Sequence, residues 1–189
     1  MIKGDFSDRG SLEEFYSAIE SEHRRAHGND YTLHHQDIIK LVQDCNSYRE
    51  LGVNQGGTAA AAVLSNPKIV DLVDFDLRNF APYQRLFFDY AKDYQMDINV
   101  YMSDSRNKAL NFVQTKRHAD FLTIDTVHTA SHVIQELDIH APLIDKYILI
   151  HDTGTVPEIH TAASDALKGV FELVKWEKRG SGHSLFKRI

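Results

Sequence analysis

The stretch YRELGVNQGGT, residues 48–58, decides the fold. A short strand-like run ends in glycines and enters the alanine-rich segment 58–64, so strand, tight turn and helix follow one another. Small residues then lie where a ligand must approach backbone. A dinucleotide fingerprint places glycine at three positions, the second for close approach of a pyrophosphate. Here those positions are Gly52, Asn54 and Gly57. Asn54 therefore disfavours a pyrophosphate ligand and opposes an NAD-dependent oxidoreductase.

Downstream, short β-rich runs alternate with longer helical ones, as parallel βαβ units do. Strands are expected at 47–51, 68–74, 98–102, 121–125 and 147–151, with helices near 58–64, 83–94, 129–139 and 158–171. Segments 172–178 and 184–189 read as two final strands around the turn Arg179-Gly180-Ser181-Gly182, an antiparallel hairpin at a sheet edge. Upstream, 11–25 and 33–43 carry apolar residues at helical spacing, and Ser11 with Glu14 forms a capping box. The expected fold is α/β: a Rossmann-like, doubly wound, mostly parallel sheet with a C-terminal antiparallel hairpin, preceded by N-terminal helices. The division is 1–45, a helical extension, and 46–189, the ligand-binding domain. Chemistry is expected beyond the carboxyl ends of the strands, where strand order reverses.

With 189 residues, 42% hydrophobic and 25% charged, the chain suits one globular unit. Its apolar runs are too short to span a bilayer, and the first residues, MIKGDFSDRGSLEEF, lack a secretory core. One cysteine, Cys45, fits a reducing compartment, so a cytoplasmic protein without membrane contact is expected. A net charge of −6 argues against a nucleic-acid partner. His23-Arg24-Arg25 and Lys116-Arg117-His118 read as solvated charge, as do Asp71, Asp76 and Asp97.

Twenty-two residues beyond Gly52, strand two ends in Val73-Asp74-Phe75-Asp76. Asp74 is placed to accept hydrogen bonds from ribose hydroxyls, and Glu50 could attract a cationic or amine-bearing part of a ligand. The competing use of Asp74 is a merely solvated strand end, and of the glycines a ligand-free turn. A positively charged nucleoside without phosphate fits two acids better than NAD does.

From about Tyr48 to Asp152 the chain resembles the class I S-adenosylmethionine-dependent methyltransferases, and more closely the group related to cephalosporin hydroxylase and macrocin O-methyltransferases. The resemblance is carried by E-L-G-V-x-x-G-G at 50–57, Asp74, S-D-S at 103–105, I-D-x-x-H at 124–128 and H-D-T at 151–153. It implies S-adenosylmethionine as cofactor and a small-molecule methyl acceptor. Glu50, Gly52 and Gly56 would shape the methionine end, Asp74 would hold the ribose, and Ser103 and Asp104 would sit near the adenine. Phe75 and Phe80 have two uses open to them, stacking on the base or packing in the core.

If strands four and five are neighbours, Asp125 and His128 meet His151 and Asp152. Oxygen ligands from Asp125 and Asp152 suit Mg²⁺, which in related enzymes acidifies the acceptor hydroxyl; Asp125, His128 and His151 are the catalytic candidates, an imidazole serving as base. Val127 departs from the family pattern, in which an acid is common there, and His151 stands where some metal-using relatives carry Glu. The alternative use of these side chains is structural. His34, His35, His140 and His160 read as surface or structurally satisfied residues, and Trp176 as sheet packing. A non-catalytic nucleoside-binding module is the competing function. The N-terminal helices leave room for a homodimer.

Overall fold

The computed structural model describes residues 6–27 and 30–189. The start of the N-terminal segment read above for export, residues 1–5, lies outside them. Helices α1 (Leu12–His27) and α2 (Asp30–Val42) precede a seven-stranded sheet of order β3-β2-β1-β4-β5-β7-β6. The strands are β1 (Ser47–Leu51), β2 (Ile69–Asp74), β3 (Asp97–Met102), β4 (Ala119–Ile124), β5 (Ile144–His151), β6 (Phe171–Glu177) and β7 (His183–Arg188). The first five are parallel; β7 inserts antiparallel between β5 and β6. Strand order reverses at β1 and β4, which places the crevice of an open α/β sheet above their carboxyl ends.

Alternation along the strands explains the two cores. Tyr48, Val70, Leu72, Phe121 and Leu149 face a layer built from α1, α2, α3 (Gly57–Val63) and α4 (Gln84–Tyr94). Leu51, Val73, Leu122, Ile148 and Ile150 face α5 (Asn111–Gln114), α6 (Ala130–His140) and α7 (Pro157–Leu167). The N-terminal helices belong to the first of these cores: Phe15, Ile19, Ile38 and Val42 are buried with Ala59–Val63. Five consecutive buried residues, Ala59–Val63, enclose α3 after its first two positions, and alanines suit the closeness of its neighbours. Half of the capping box forms: Glu14 N–H donates to Ser11 Oγ at 3.2 Å, but the Glu14 carboxylate accepts from Gly10 N–H at 2.9 Å instead of from Ser11.

Several local expectations are corrected. The last helix ends at Leu167, not 171, because the chain turns through Gly169 at φ +81° into β6. The short α5 and the 3₁₀ turn Ala141–Leu143 had no periodic signal, and β5 begins three residues early, at Ile144. Asp71 is not surface charge: it is buried and paired with Arg49, itself fully buried, and with Arg117. Arg117 is thus drawn from the solvated basic run. Arg49 also lies over the Phe112 ring, 3.9 Å from its centroid, which supplies a cation–π contact to a buried charge. Trp176 stacks on His160 of α7 at 3.6 Å with Lys178 over its ring, also at 3.9 Å. No helix among the described residues is long and apolar enough to cross a membrane.

Candidate functional site

Above the ends of β1, β2 and β4 lies a cleft of about 700 Å³, a size in the usual range for small-molecule sites. Gly52, Asp74, Ser103, Asp104, Asp125, His128 and Asp152, all named from the sequence, line it together with Phe75, Ser105, Arg106, Thr126, Val127 and His132.

Gly52 is forced by proximity. With φ +89°, a Cβ there would stand 1.9 Å from the Asp125 carbonyl oxygen. Gly52 N–H donates to Val73 O at 2.8 Å, and Asp125 N–H to Leu51 O at 2.9 Å, so the ends of β2, β1 and β4 are tied side by side. Gly56 serves packing instead: its missing Cβ makes room for the Phe80 and Phe87 rings, each of which would lie about 3 Å away.

Asp74 organises the β1 loop. Its Oδ2 accepts from Val53 N–H at 2.7 Å and Asn54 N–H at 2.8 Å, and its Oδ1 from Asp76 N–H at 2.9 Å. A carboxylate has about four acceptor positions, so lone-pair capacity remains for a ligand hydroxyl. Phe75 and Phe80 separate cleanly: Phe80 is fully buried, whereas Phe75 is 80% exposed on the cleft. Ser103 and Asp104 stand on the same wall, with Asp104 held by Arg106 at 2.7 Å and its pKa lowered to about 2 by those hydrogen bonds.

Glu50 is wholly buried and absent from the cleft lining. The Tyr48 hydroxyl donates to its Oε2 at 2.6 Å and lies 2.9 Å from the Thr123 hydroxyl, while Oε1 has no hydrogen-bond partner among the described residues. Burial, with Asp125 and Asp74 nearby, pushes its pKa well above the carboxylate range. An orphaned acceptor two residues from Gly52 is what a ligand amine or bound water would satisfy.

At the other end of the cleft, parallel pairing of Ile124 with Ile150 brings the two strand termini together. His128 Nε2 lies 2.8 Å from Asp152 Oδ2 and 3.5 Å from Asp125 Oδ1. His151 Nδ1 lies 3.1 Å from Asp152 Oδ2 and 3.5 Å from Asp125 Oδ1. Asp152 adopts a left-handed φ of +59° to reach both, a conformation Asp tolerates better than most residues. The carboxylates' hydrogen bonds raise His128 to about 10; burial alone would lower His151, but Asp125 and Asp152 lift it to about 10 as well. Burial favours the neutral acid at Asp125 and Asp152, yet the imidazoles hold Asp125 well below the usual range and Asp152 at about 2.

Ligand atoms of Asp125, His128 and Asp152 lie within 4.8 Å of one another. One nitrogen among the three donors suits a borderline ion such as zinc better than Mg²⁺, which prefers oxygen; Val127, half exposed, supplies no third carboxylate.

Sequence reading missed the support behind this site. His34, 2% exposed, packs its ring 4.5 Å from that of His151, and both His34 and His35 lie 3.3 Å from the Thr58 hydroxyl. No periodic or motif signal connects α2 to the end of β5. His140 is likewise buried, donating from Nε2 to Ser105 O at 2.8 Å, and burial lowers its pKa to about 4. His160 is half-buried, 2.8 Å from the Ser184 hydroxyl.

No protein-family model and no curated protein matches the chain. Among solved structures, it is similar to a putative caffeoyl-CoA O-methyltransferase from Staphylococcus aureus, with a TM-score of 0.62 and 11% identity over 93% of this chain and 99% of that one. It is also similar to the S-adenosylhomocysteine-bound methyltransferase PaMTH1 of Podospora anserina, with a TM-score of 0.65 and 12% identity over 96% and 88%. A third, TrmK of M. capricolum with S-adenosylhomocysteine, has a TM-score of 0.55 and 14% identity over 82% and 66%. At these identities the likeness establishes the fold, a Rossmann-like α/β sheet with an antiparallel C-terminal pair.

Proposed function

We propose that the chain is an S-adenosylmethionine-dependent methyltransferase acting on an oxygen or nitrogen of a small molecule. The observation that carries this reading is that one cleft joins a wall with free acceptor capacity and an exposed aromatic ring, at Asp74 and Phe75, to an acid–imidazole cluster at Asp125, His128 and Asp152. A cleft at the switch point of this fold is where a nucleoside binds. Two of the similar structures hold S-adenosylhomocysteine, which supports the same ligand here. Glu50 stands behind the cleft lining, and its orphaned Oε1 reaches the ligand's amine through water.

When bound, the cofactor supplies an electrophilic methyl on its sulfonium. The residues supply the rest: Asp74 accepts from the ribose hydroxyls, Phe75 offers a face to the base, and the Asp125 end holds the acceptor in line. His128, half exposed, is the group able to exchange a proton with an acceptor hydroxyl. With its pKa near 10, little of it is neutral at pH 7, so turnover that uses it as base rises about tenfold per pH unit below that value. A divalent ion held by Asp125, His128 and Asp152 would replace His128 as base, and its contribution would be to acidify the acceptor.

Calorimetric titration with S-adenosylmethionine, S-adenosylhomocysteine and NAD tests this. Dissociation constants of about 1–100 μM for the first two, and none measurable for NAD, are expected. Nucleosides that fail to bind at millimolar concentration would sink the proposal, whereas tight binding with no methyl transfer to any oxygen or nitrogen acceptor would leave a binding module.

A further inference from the structure

Helix α6 carries a carboxylate that the chemistry above does not use. Glu136 is wholly buried. Its Oε1 accepts from the Ser105 hydroxyl at 2.5 Å, and the Thr126 hydroxyl lies 2.8 Å from Oε1 and 2.9 Å from Oε2. Ser105 follows β3 and Thr126 follows β4, yet β2 and β1 stand between those strands. Three strand spacings hold β3 and β4 about 14 Å apart. Ladder hydrogen bonds therefore do nothing to fix one loop against the other, and the Glu136 carboxylate bonds to both.

The same helix holds the loop after β3 at two further positions and supports Glu136 at a third. His140 donates to the Ser105 carbonyl at 2.8 Å, Gln135 Oε1 accepts from Arg106 at 3.1 Å, and His132 Nε2 lies 3.3 Å from Glu136 Oε1 on the cleft wall. Side chains four residues apart share one helix face, so 132, 136 and 140 form a single row along α6. Burying a carboxylate carries a desolvation penalty that a leucine at this position would avoid. What the acid adds over a leucine is a fixed distance between two loops that both line the cleft.

We propose that Glu136 is a positioning residue that clasps the loops after β3 and β4 and so sets the width of the cleft at its base-binding wall. The ligand half of this proposal rests on the nucleoside reading of the cleft, whereas the clasp itself does not.

The test uses the full chain as Glu136→Gln, Glu136→Ala and the double variant Ser105→Ala/Thr126→Val. Glutamine keeps an acceptor for Ser105 and offers a donor to the rotatable Thr126 hydroxyl, so it should rescue most of what alanine loses. Hydrogen exchange without ligand is expected to show segments 103–107 and 125–129 losing protection together in Glu136→Ala and in the double variant, by about tenfold. Strand β5 and helix α7 should stay at wild-type protection, and Glu136→Gln should remain within about threefold. Affinities for S-adenosylhomocysteine and for adenosine should fall in parallel, about tenfold in Glu136→Ala. Loosening of one loop only, or of the whole chain equally, or of both loops with unchanged affinity, overturns the proposal. Wild-type protein that binds neither ligand overturns the nucleoside reading, and the exchange pattern then decides the clasp alone.

Discussion

At the Asp74 end of the cleft, one carboxylate is held by three backbone N–H groups, and the wall beyond it by hydroxyls bonded to Glu136. At the Asp125 end, two carboxylates are held by two imidazoles. Neutral donors keep their protons at any ordinary pH, so the first end is shaped before a ligand arrives. The imidazoles titrate only as pH rises toward 10, so the second end carries its charge at neutral pH and changes it in alkali or with whatever binds there. A nucleoside needs the first kind of site; proton transfer from an acceptor needs the second.

The comparison predicts its own largest disruption at the seam. Gly52→Ala sets a Cβ against the Asp125 carbonyl at a φ of +89°, and should cost about 4 kcal/mol, a fall of roughly 8–16 °C in melting temperature. An unchanged melting temperature would show that the two ends are not tied rigidly. Asp152→Ala strips His128 and His151 of a shared partner. About 3 kcal/mol is expected from breaking such a buried pair, read as a smaller shift of the same transition, and denaturant unfolding should agree.

Stability against pH should separate the ends by sign. His140, which braces the Ser105 loop, has its folded pKa lowered to about 4 from the ordinary 6.5. Its contribution is complete above pH 6.5 and is lost as pH falls toward 4, by about 3 kcal/mol at most. His128 and His151, raised to about 10, contribute fully below pH 6.5 and lose that contribution as pH rises through 10. Thermal melts from pH 4 to pH 10 should therefore show both slopes, with His140→Gln flattening the acid side alone. A His140→Gln profile that parallels the wild type would remove His140 from the account. The mildest effect is expected at Asp74→Ala, about 1–2 kcal/mol for three backbone donors near solvent, accompanied by at least tenfold weaker nucleoside binding. Loss of stability without loss of affinity would confine Asp74 to holding its own loop.

What the sequence made legible was local or periodic. The glycine turn after β1, the acid ending β2 and the termini of β4 and β5 each announce themselves within a few residues, and strand adjacency brings the last two together. Residues that act across the fold gave no such signal. Glu136 sits in an ordinary helical pattern, and its importance depends on two loops converging from strands that do not touch. Asp71 looked like surface charge because a charged residue in a strand usually faces water; its partners Arg49 and Arg117 come from β1 and from the turn before β4. Gly56 reads as part of a ligand loop, yet its place is fixed by the rings of Phe80 and Phe87.

A crystal structure of the protein grown with S-adenosylhomocysteine tests the central claim most directly. The account predicts the ribose hydroxyls on Asp74, the base against Phe75 beside Ser105, and the sulfur directed toward Asp125 and His128. A nucleoside ordered elsewhere, or a cleft without one at saturating concentration, would contradict it.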